Sequence, residues 1–214
     1  MRRGPPGPMS VPEPGIPILI LAAGASRRMG GRDKLVETVD GAAMLRGRAE
    51  VAIAARLGPV FVTLPPDRPA RARALDGLDV TPVPVRGAAE GMAASLRAGI
   101  AALPPDAPAV LILLADTPAI TAADLRAVAA AFDAADPQPA RGAEPDGTPG
   151  HPVLLPARLF PALARLTGDA GARSLLVGEA VRLVGLPRGH ATTDIDTVEA
   201  LAQWRRLGSG RPTG

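Results

Sequence analysis

Residues 16–35, IPILILAAGASRRMGGRDKL, constrain the fold of this chain more than any other stretch. Residues 16–21 form an apolar run of strand length, rich in branched side chains. The run stops abruptly at Ala22-Ala23-Gly24-Ala25-Ser26, where every side chain is small. A buried strand that opens into such a loop lets backbone N–H groups come close to a ligand, because no bulky side chain intervenes. Arg27, Arg28, Arg32 and Lys34 add full positive charge around it. The local reading is a phosphate site at the carboxyl end of a first strand, where open α/β sheets place their ligands. The competing reading is a Gly-rich turn with solvated arginines.

The rest of the chain alternates short apolar strands with helical segments, which is the α/β pattern. A helix is expected over 42–56 and a second strand over 60–64. A short arginine-rich helix over 69–75 reads as a solvated face. A third strand over 80–85 carries Pro82 and Pro84, which suit a sheet edge. Small residues 87–91 lead into a helix beginning near Met92. AVLILL at 109–114 is the most apolar run and reads as a central parallel strand. Thr121 and Asp124 have the spacing of a capping box opening a helix that runs to about 134. Residues 136–150, rich in Pro, Gly and Asp, read as a mobile loop over the ligand crevice. A strand at 153–155, helices at 157–166 and 172–178, a strand at 181–186 and a last helix from Thr197 to near Trp204 complete the order. Residues 1–15 and 208–214 are too rich in Pro and Gly to pack and are expected to be disordered tails around a domain at 16–207.

Composition narrows the function classes. Aromatic residues make up 2% of the chain, with no tyrosine, which disfavours binding of nucleic acid by base stacking. The net charge is only +3, so the high isoelectric point reflects arginine-rich composition and argues for neither nucleic acid nor an anionic membrane. Lys34 is the only lysine among 24 basic residues, and it lies in the proposed phosphate loop. A compact ammonium and a flat guanidinium are not interchangeable where one point charge must reach one phosphate. With no cysteine, thiolate nucleophiles, disulfides and Cys-ligated metals are excluded. No apolar stretch is long enough to span a membrane, and no secretory segment follows Met1, so a cytoplasmic location is expected.

Asp116 stands at the carboxyl end of the central strand, ahead of Pro118. A carboxylate there faces the ligand crevice and suits Mg²⁺ on a nucleotide triphosphate, which takes one or two protein carboxylates. An Asx turn is the other reading. Asp194 and Asp196 alternate on an extended segment, so only one of them faces the same way.

Two standard phosphate loops, G-x-x-x-x-G-K-[ST] and G-x-G-x-x-G, are absent. The 21–30 string instead resembles L-A-A-G-x-[SG]-x-R-M-G-x-x-K of the nucleotidyltransferases with a MobA-like fold, with one extra residue before Lys34. Gly87–Gly99, Ala115-Asp116-Thr117-Pro118, Gly147–Leu155, Gly168–Arg173 and Asp194–Leu201 resemble further blocks of that family, in family order. The match is nearest the molybdenum cofactor cytidylyltransferase branch, although Ala115 and Thr117 depart from its usual glycine and methionine. The resemblance implies a three-layer α/β/α, Rossmann-like sheet that is mostly parallel. It implies transfer of CMP from CTP to the phosphate of molybdopterin, with release of pyrophosphate. Leu21, Ala22, Ala23, Gly24, Ser26, Gly91 and Ser95 would contact nucleotide, and Asp116 and Asp196 would hold Mg²⁺. Lys34 would neutralise the α-phosphate and Arg28 the leaving pyrophosphate. His151 and Arg173 would bind the acceptor, and a molybdoenzyme would be the client. Ser95 also fits a packing helix, His151 a loop histidine, and Arg173 a pair with Asp169. Other readings are GTP with a sugar or polyol phosphate, a non-catalytic nucleotide-binding protein, and an oxidoreductase of the same architecture.

Overall fold

The computed structural model describes residues 15–208 except Arg27, Arg28, Gly30, Asp169 and Ala170. The expected tails lie almost wholly outside those residues.

Strand β1 (Ile18–Leu21) lies next to the central strand of a seven-stranded sheet. On one side it pairs in parallel with β4 (Val60–Leu64), which pairs in parallel with β5 (Thr81–Pro84) at the edge. On the other side it pairs in parallel with β6 (Ala109–Leu114). Beyond β6 runs β8 (Pro149–Pro156), antiparallel to β6 and to β7 (Ala140–Ala143). β9 (Arg182–Gly185) closes the far edge, parallel to β7. A two-residue hairpin of β2 (Thr38–Val39) and β3 (Ala42–Ala43) stands apart from this sheet.

Alternation along the strands divides the core into two layers. Ile18, Ile20, Val62, Leu111 and Leu113 face one way, against α1 (Met44–Ala55), α4 (Ala122–Ala129) and α6 (Val198–Gly208). Leu19, Phe61, Val110 and Ile112 face the other way, against α3 (Met92–Ala101) and α5 (Phe160–Leu163). Helix α2 (Pro69–Ala74) sits beside α1. The result is the expected three-layer, mostly parallel architecture. Gly99 lets α3 lie directly on β1, because a Cβ there would run into the Leu19 side chain. The capping box of α4 forms as expected, with Thr121 and Asp124 each bonded to the other's backbone N–H.

Three expectations need correction. The 136–150 segment is not one loop, since it contains β7 and the first residues of β8. Proline, glycine and a lack of alternation hid an antiparallel pair. Helix α4 ends at Ala129, several residues short of 134. The helix expected over 157–166 is a 3-10 turn followed by the four residues of α5, and 172–176 is a 3-10 helix.

Candidate active site

The loop after β1 is held from behind. The Ala22 N–H donates to the buried hydroxyl of Thr63, 3.1 Å away, and its carbonyl accepts from a terminal nitrogen of Arg71. Arg71 was expected to lie on a solvated face, yet its side chain is wholly buried. Its Nε and Nη2 each donate to a different oxygen of Asp33, both at 2.8 Å, and Nη2 also reaches the Ser26 hydroxyl at 3.2 Å. Asp33 in turn caps the short helical turn of Lys34–Val36 through the Leu35 N–H. Burial pushes the Asp33 carboxyl up, but the Arg71 hydrogen bonds and charge outweigh it and hold it below the ordinary value. One guanidinium therefore ties both ends of the loop together. Arg68, the residue that precedes α2, and Arg71, three further on, both turn to Asp33, while Arg73 is exposed. Sequence reasoning passed over Asp33, whose one signal is that it is the lone acid among the basic residues at 27–34.

Lys34 is 8% exposed, and its ammonium meets two carboxylates. Nζ lies 2.6 Å from Asp116 and 2.5 Å from Asp196. Asp116 follows β6, where the Ala115 N–H donates to the Leu21 carbonyl. The Asp116 carbonyl accepts from the Ile195 N–H at 2.9 Å, which carries Asp196 alongside. Buried Arg48 braces the turn below by donating to the carbonyls of Thr117 and Ile120. Burial lowers the Lys34 pKa, but Asp116 first and Asp196 second reverse this and leave it raised. Asp194 is more exposed than Asp196, and partial desolvation together with the nearby Asp196 and Asp116 charges raises its carboxyl.

This arrangement fits a divalent cation shared with a nucleotide. Asp116 and Asp196 converge where an ammonium now sits, and Asp116 Oδ1 is buried with no hydrogen-bond partner among the described residues. No group of three or more His, Cys, Asp or Glu gathers among those residues, so a cation held by protein alone finds no cage. Two carboxylates with phosphate oxygens and water are sufficient for Mg²⁺.

A cleft of about 510 Å³ opens over these groups. Leu21, Ala23, Gly24, Ser26, Gly91 and Ser95 line it together with Lys34, Asp116 and Asp196. Ala22 does not; its N–H and carbonyl face Thr63 and Arg71 instead. Gly91 has φ 106, which a side chain would resist, at the turn where the 88–90 segment enters α3. That turn and Met92 also line the cleft and were not singled out from sequence.

A second cavity of about 320 Å³ adjoins the first, sharing Leu21, Met92 and Leu114 with it. His151 and Arg173 lie here, away from Lys34, together with Arg141, which sequence reasoning passed over. Gly150 packs onto the Ala191 carbonyl, and the His151 N–H donates to the same oxygen at 2.8 Å. The His151 pKa is lowered to about 4 by burial and by the Arg141 charge, so the ring is neutral at physiological pH. Arg28 and Asp169 lie outside the described residues.

A model of the MobA-like NTP transferase domain matches residues 18–183. The chain belongs to that family. Asp196 lies beyond the matched residues. No curated protein matches the chain in sequence. Among solved structures, Rv0371c from Mycobacterium tuberculosis H37Rv is 28% identical with a TM-score of 0.78, covering 92% of this chain and 100% of its own. A structure of Rv0371c in complex with manganese is 28% identical with a TM-score of 0.72, again over 92% and 100%. A nucleotidyl transferase from Methanothermobacter is 21% identical with a TM-score of 0.75, over 91% of this chain and 98% of that one, which shows a shared fold. Within the described residues, no helix is long and apolar enough to cross a membrane.

Proposed function

We propose that this MobA-like chain transfers CMP from CTP to the phosphate of a molybdopterin-type acceptor and releases pyrophosphate. The observation that carries the transferase reading is the convergence of Lys34, Asp116 and Asp196 at the floor of a cleft walled by a small-residue loop. Nucleotidyl transfer of this kind is mainly positioning and charge neutralisation. An acceptor phosphate oxygen attacks the α-phosphorus, the bond to the β-phosphate bridging oxygen breaks, and the pyrophosphate leaves in line. The acceptor supplies the nucleophile, which agrees with the absence of cysteine.

The loop over Ala23–Ser26 gives the triphosphate close access to backbone, and Arg71 holds it in that shape. Asp116 and Asp196 are the residues that would hold Mg²⁺. A divalent cation there neutralises phosphate charge and orients the triphosphate. The relative Rv0371c was solved in complex with manganese, which supports the use of a divalent cation by this chain. In this reading Lys34 turns its ammonium from the carboxylates toward the α-phosphate, and Arg28 is assigned to the leaving pyrophosphate by resemblance. His151 and Arg173 are assigned to the acceptor. The cytidylyl preference rests on the Gly150-His151-Pro152 element.

The test is pyrophosphate release from CTP, GTP, ATP and UTP with Mg²⁺, with and without molybdopterin. Acceptor-dependent release from CTP alone is the expected result. Release with GTP would move the base assignment, and no release from any nucleotide would overturn the enzyme reading for this acceptor.

A further inference from the structure

Asp196 stands on a stretch that forms neither helix nor strand. After β9 the chain turns through 187–192 and reaches α6 at Val198 with no regular element between. Its backbone N–H groups therefore need acceptors elsewhere in the molecule. On the cleft side, Ile195 donates to the Asp116 carbonyl. The turn that leads into the stretch is held by a side chain outside the cleft lining, that of Glu144.

Glu144 follows β7 at the tip of the β7–β8 hairpin. The hairpin closes on itself. The Glu144 N–H donates to the Thr148 carbonyl and the Gly147 N–H to the Glu144 carbonyl, both at 2.9 Å. From this base the carboxylate reaches across to the turn. Its Oε2 accepts from the Gly189 N–H at 2.7 Å, and Oε1 accepts from the Ala191 N–H at 3.2 Å and the Thr192 hydroxyl at 2.9 Å. The Ala191 carbonyl accepts in turn from the His151 N–H of β8, so both backbone groups of Ala191 are tied to one hairpin. His190 of the same turn meets Asp124, in the cap of α4, at 2.8 Å.

An acid at a hairpin tip is ordinarily solvated and free to swing. Here the Gly189 N–H first, then the Thr192 and Ala191 donors, hold the Glu144 carboxyl below its ordinary value against the opposing effect of burial. Hydrogen bonds to an ionised acceptor are roughly twice as strong as neutral ones, and this carboxylate collects several. Asp146 offers a contrast on the same hairpin, since it accepts from the Thr148 N–H within its own turn.

We infer that Glu144 is a positioning residue for the cation site, fixing the 189–192 turn so that Asp196 is presented beside Asp116. The inference rests on the transferase reading for the use of that site. Glu144 acts through Asp196. Its loss lets Asp196 drift from Asp116 and weakens the hold on a divalent cation, while the small-residue loop keeps its contacts to nucleotide.

The test takes full-length protein with a non-hydrolysable CTP analogue and follows thermal unfolding as Mn²⁺ is added. Glu144→Ala is expected to raise the Mn²⁺ concentration for half-maximal stabilisation by about ten-fold or more, as loss of a group that orients a metal ligand does. Glu144→Gln, which keeps one acceptor oxygen, should recover part of this, and Asp146→Ala should match the wild type. Affinity for the analogue without Mn²⁺ should be the same in all of them. In an Asp196→Asn background Glu144→Ala should add nothing, because both changes act through one group. Circular dichroism confirms folding, and Glu144→Gln serves if Glu144→Ala does not fold. An unchanged Mn²⁺ requirement, or an equal rise in the Asp196→Asn background, would overturn the positioning role. Amide exchange at Ile195 reads the tie without metal, and should quicken several-fold in Glu144→Ala but not in Asp146→Ala. If Mn²⁺ leaves the wild type unaffected, the cation reading falls and exchange decides: quickening in Glu144→Ala upholds the tie, and an unchanged rate overturns it.

Discussion

Arg71 grips Asp33 through two hydrogen bonds of 2.8 Å, from a side chain with no solvent exposure, directly behind the loop that lines the cleft. The pair is structural in its contacts and functional in its position, because Lys34 is the next residue along. Removing one partner of a buried pair leaves the other charge uncompensated. Arg71→Met is expected to cost about 3–5 kcal/mol of stability, measured by denaturant unfolding. In the folded fraction the KM for nucleotide should rise more than kcat falls. A variant as stable as the wild type would show that the pair is dispensable.

Asp116 meets Lys34 at 2.6 Å, and its other carboxylate oxygen is buried with no hydrogen-bond partner among the described residues. Asp116→Ala should lower the rate of pyrophosphate release by about 10²-fold or more, as loss of a group stabilising developing charge does. Single-turnover kinetics separates this from a binding defect. Near-normal turnover would contradict the role given to Asp116.

The same carboxylates predict a linkage with cation. Thermal unfolding with CTP analogue should shift upward when Mg²⁺ or Mn²⁺ is added, by an amount equivalent to about 2.7 kcal/mol at a hundred-fold excess over Kd. Asp196→Asn should remove most of that shift. An equal shift in this variant would place the cation elsewhere.

His151 gives a stability signature in mild acid. Its pKa falls from 6.5 to about 4 on folding, so between those values the unfolded chain binds a proton that the native chain does not. Stability therefore declines as the pH drops from 6.5 toward 4. His151→Gln should flatten that part of the profile, read as unfolding midpoints at a series of pH values. A slope identical to the wild type would assign the decline to other groups.

At the α3–β1 contact, Gly99→Ala drives a methyl group into Leu19, whose flexible end must move. Overpacking of this sort costs about 1–3 kcal/mol. A melting temperature equal to the wild type would mean that Leu19 has room to rotate.

What could be read from the chain beforehand follows from range. The 60–64 and 109–114 strands declare themselves through uninterrupted apolar residues, and Thr121 with Asp124 through local cap chemistry. Lys34, Asp116 and Asp196 stand out by strand-end position and by resemblance. What stayed hidden depends on partners far apart in sequence. Arg71 is one arginine among several on a short helix until the fold brings Asp33, 38 residues away, against it. Arg141 lies in a strand whose Gly and Pro neighbours suppress any alternation, so its approach to His151 emerges only when β7 pairs with β8. Ala22 fits the loop pattern by residue type, but direction, not type, turns its backbone from the cleft.

The clasp by Arg71 also bears on how such a loop tolerates change in length. Ala22 and Asp33 are moored to the same side chain, so slack between them is taken up by the intervening residues and is not passed on to Lys34. The extra residue before Lys34, relative to the pattern of similar chains, lies inside those moorings. An insertion there lengthens a segment whose ends are already fixed, and each added residue raises the closure entropy only slowly. Lengthening or shortening the stretch between the two anchors therefore leaves the ammonium at its address.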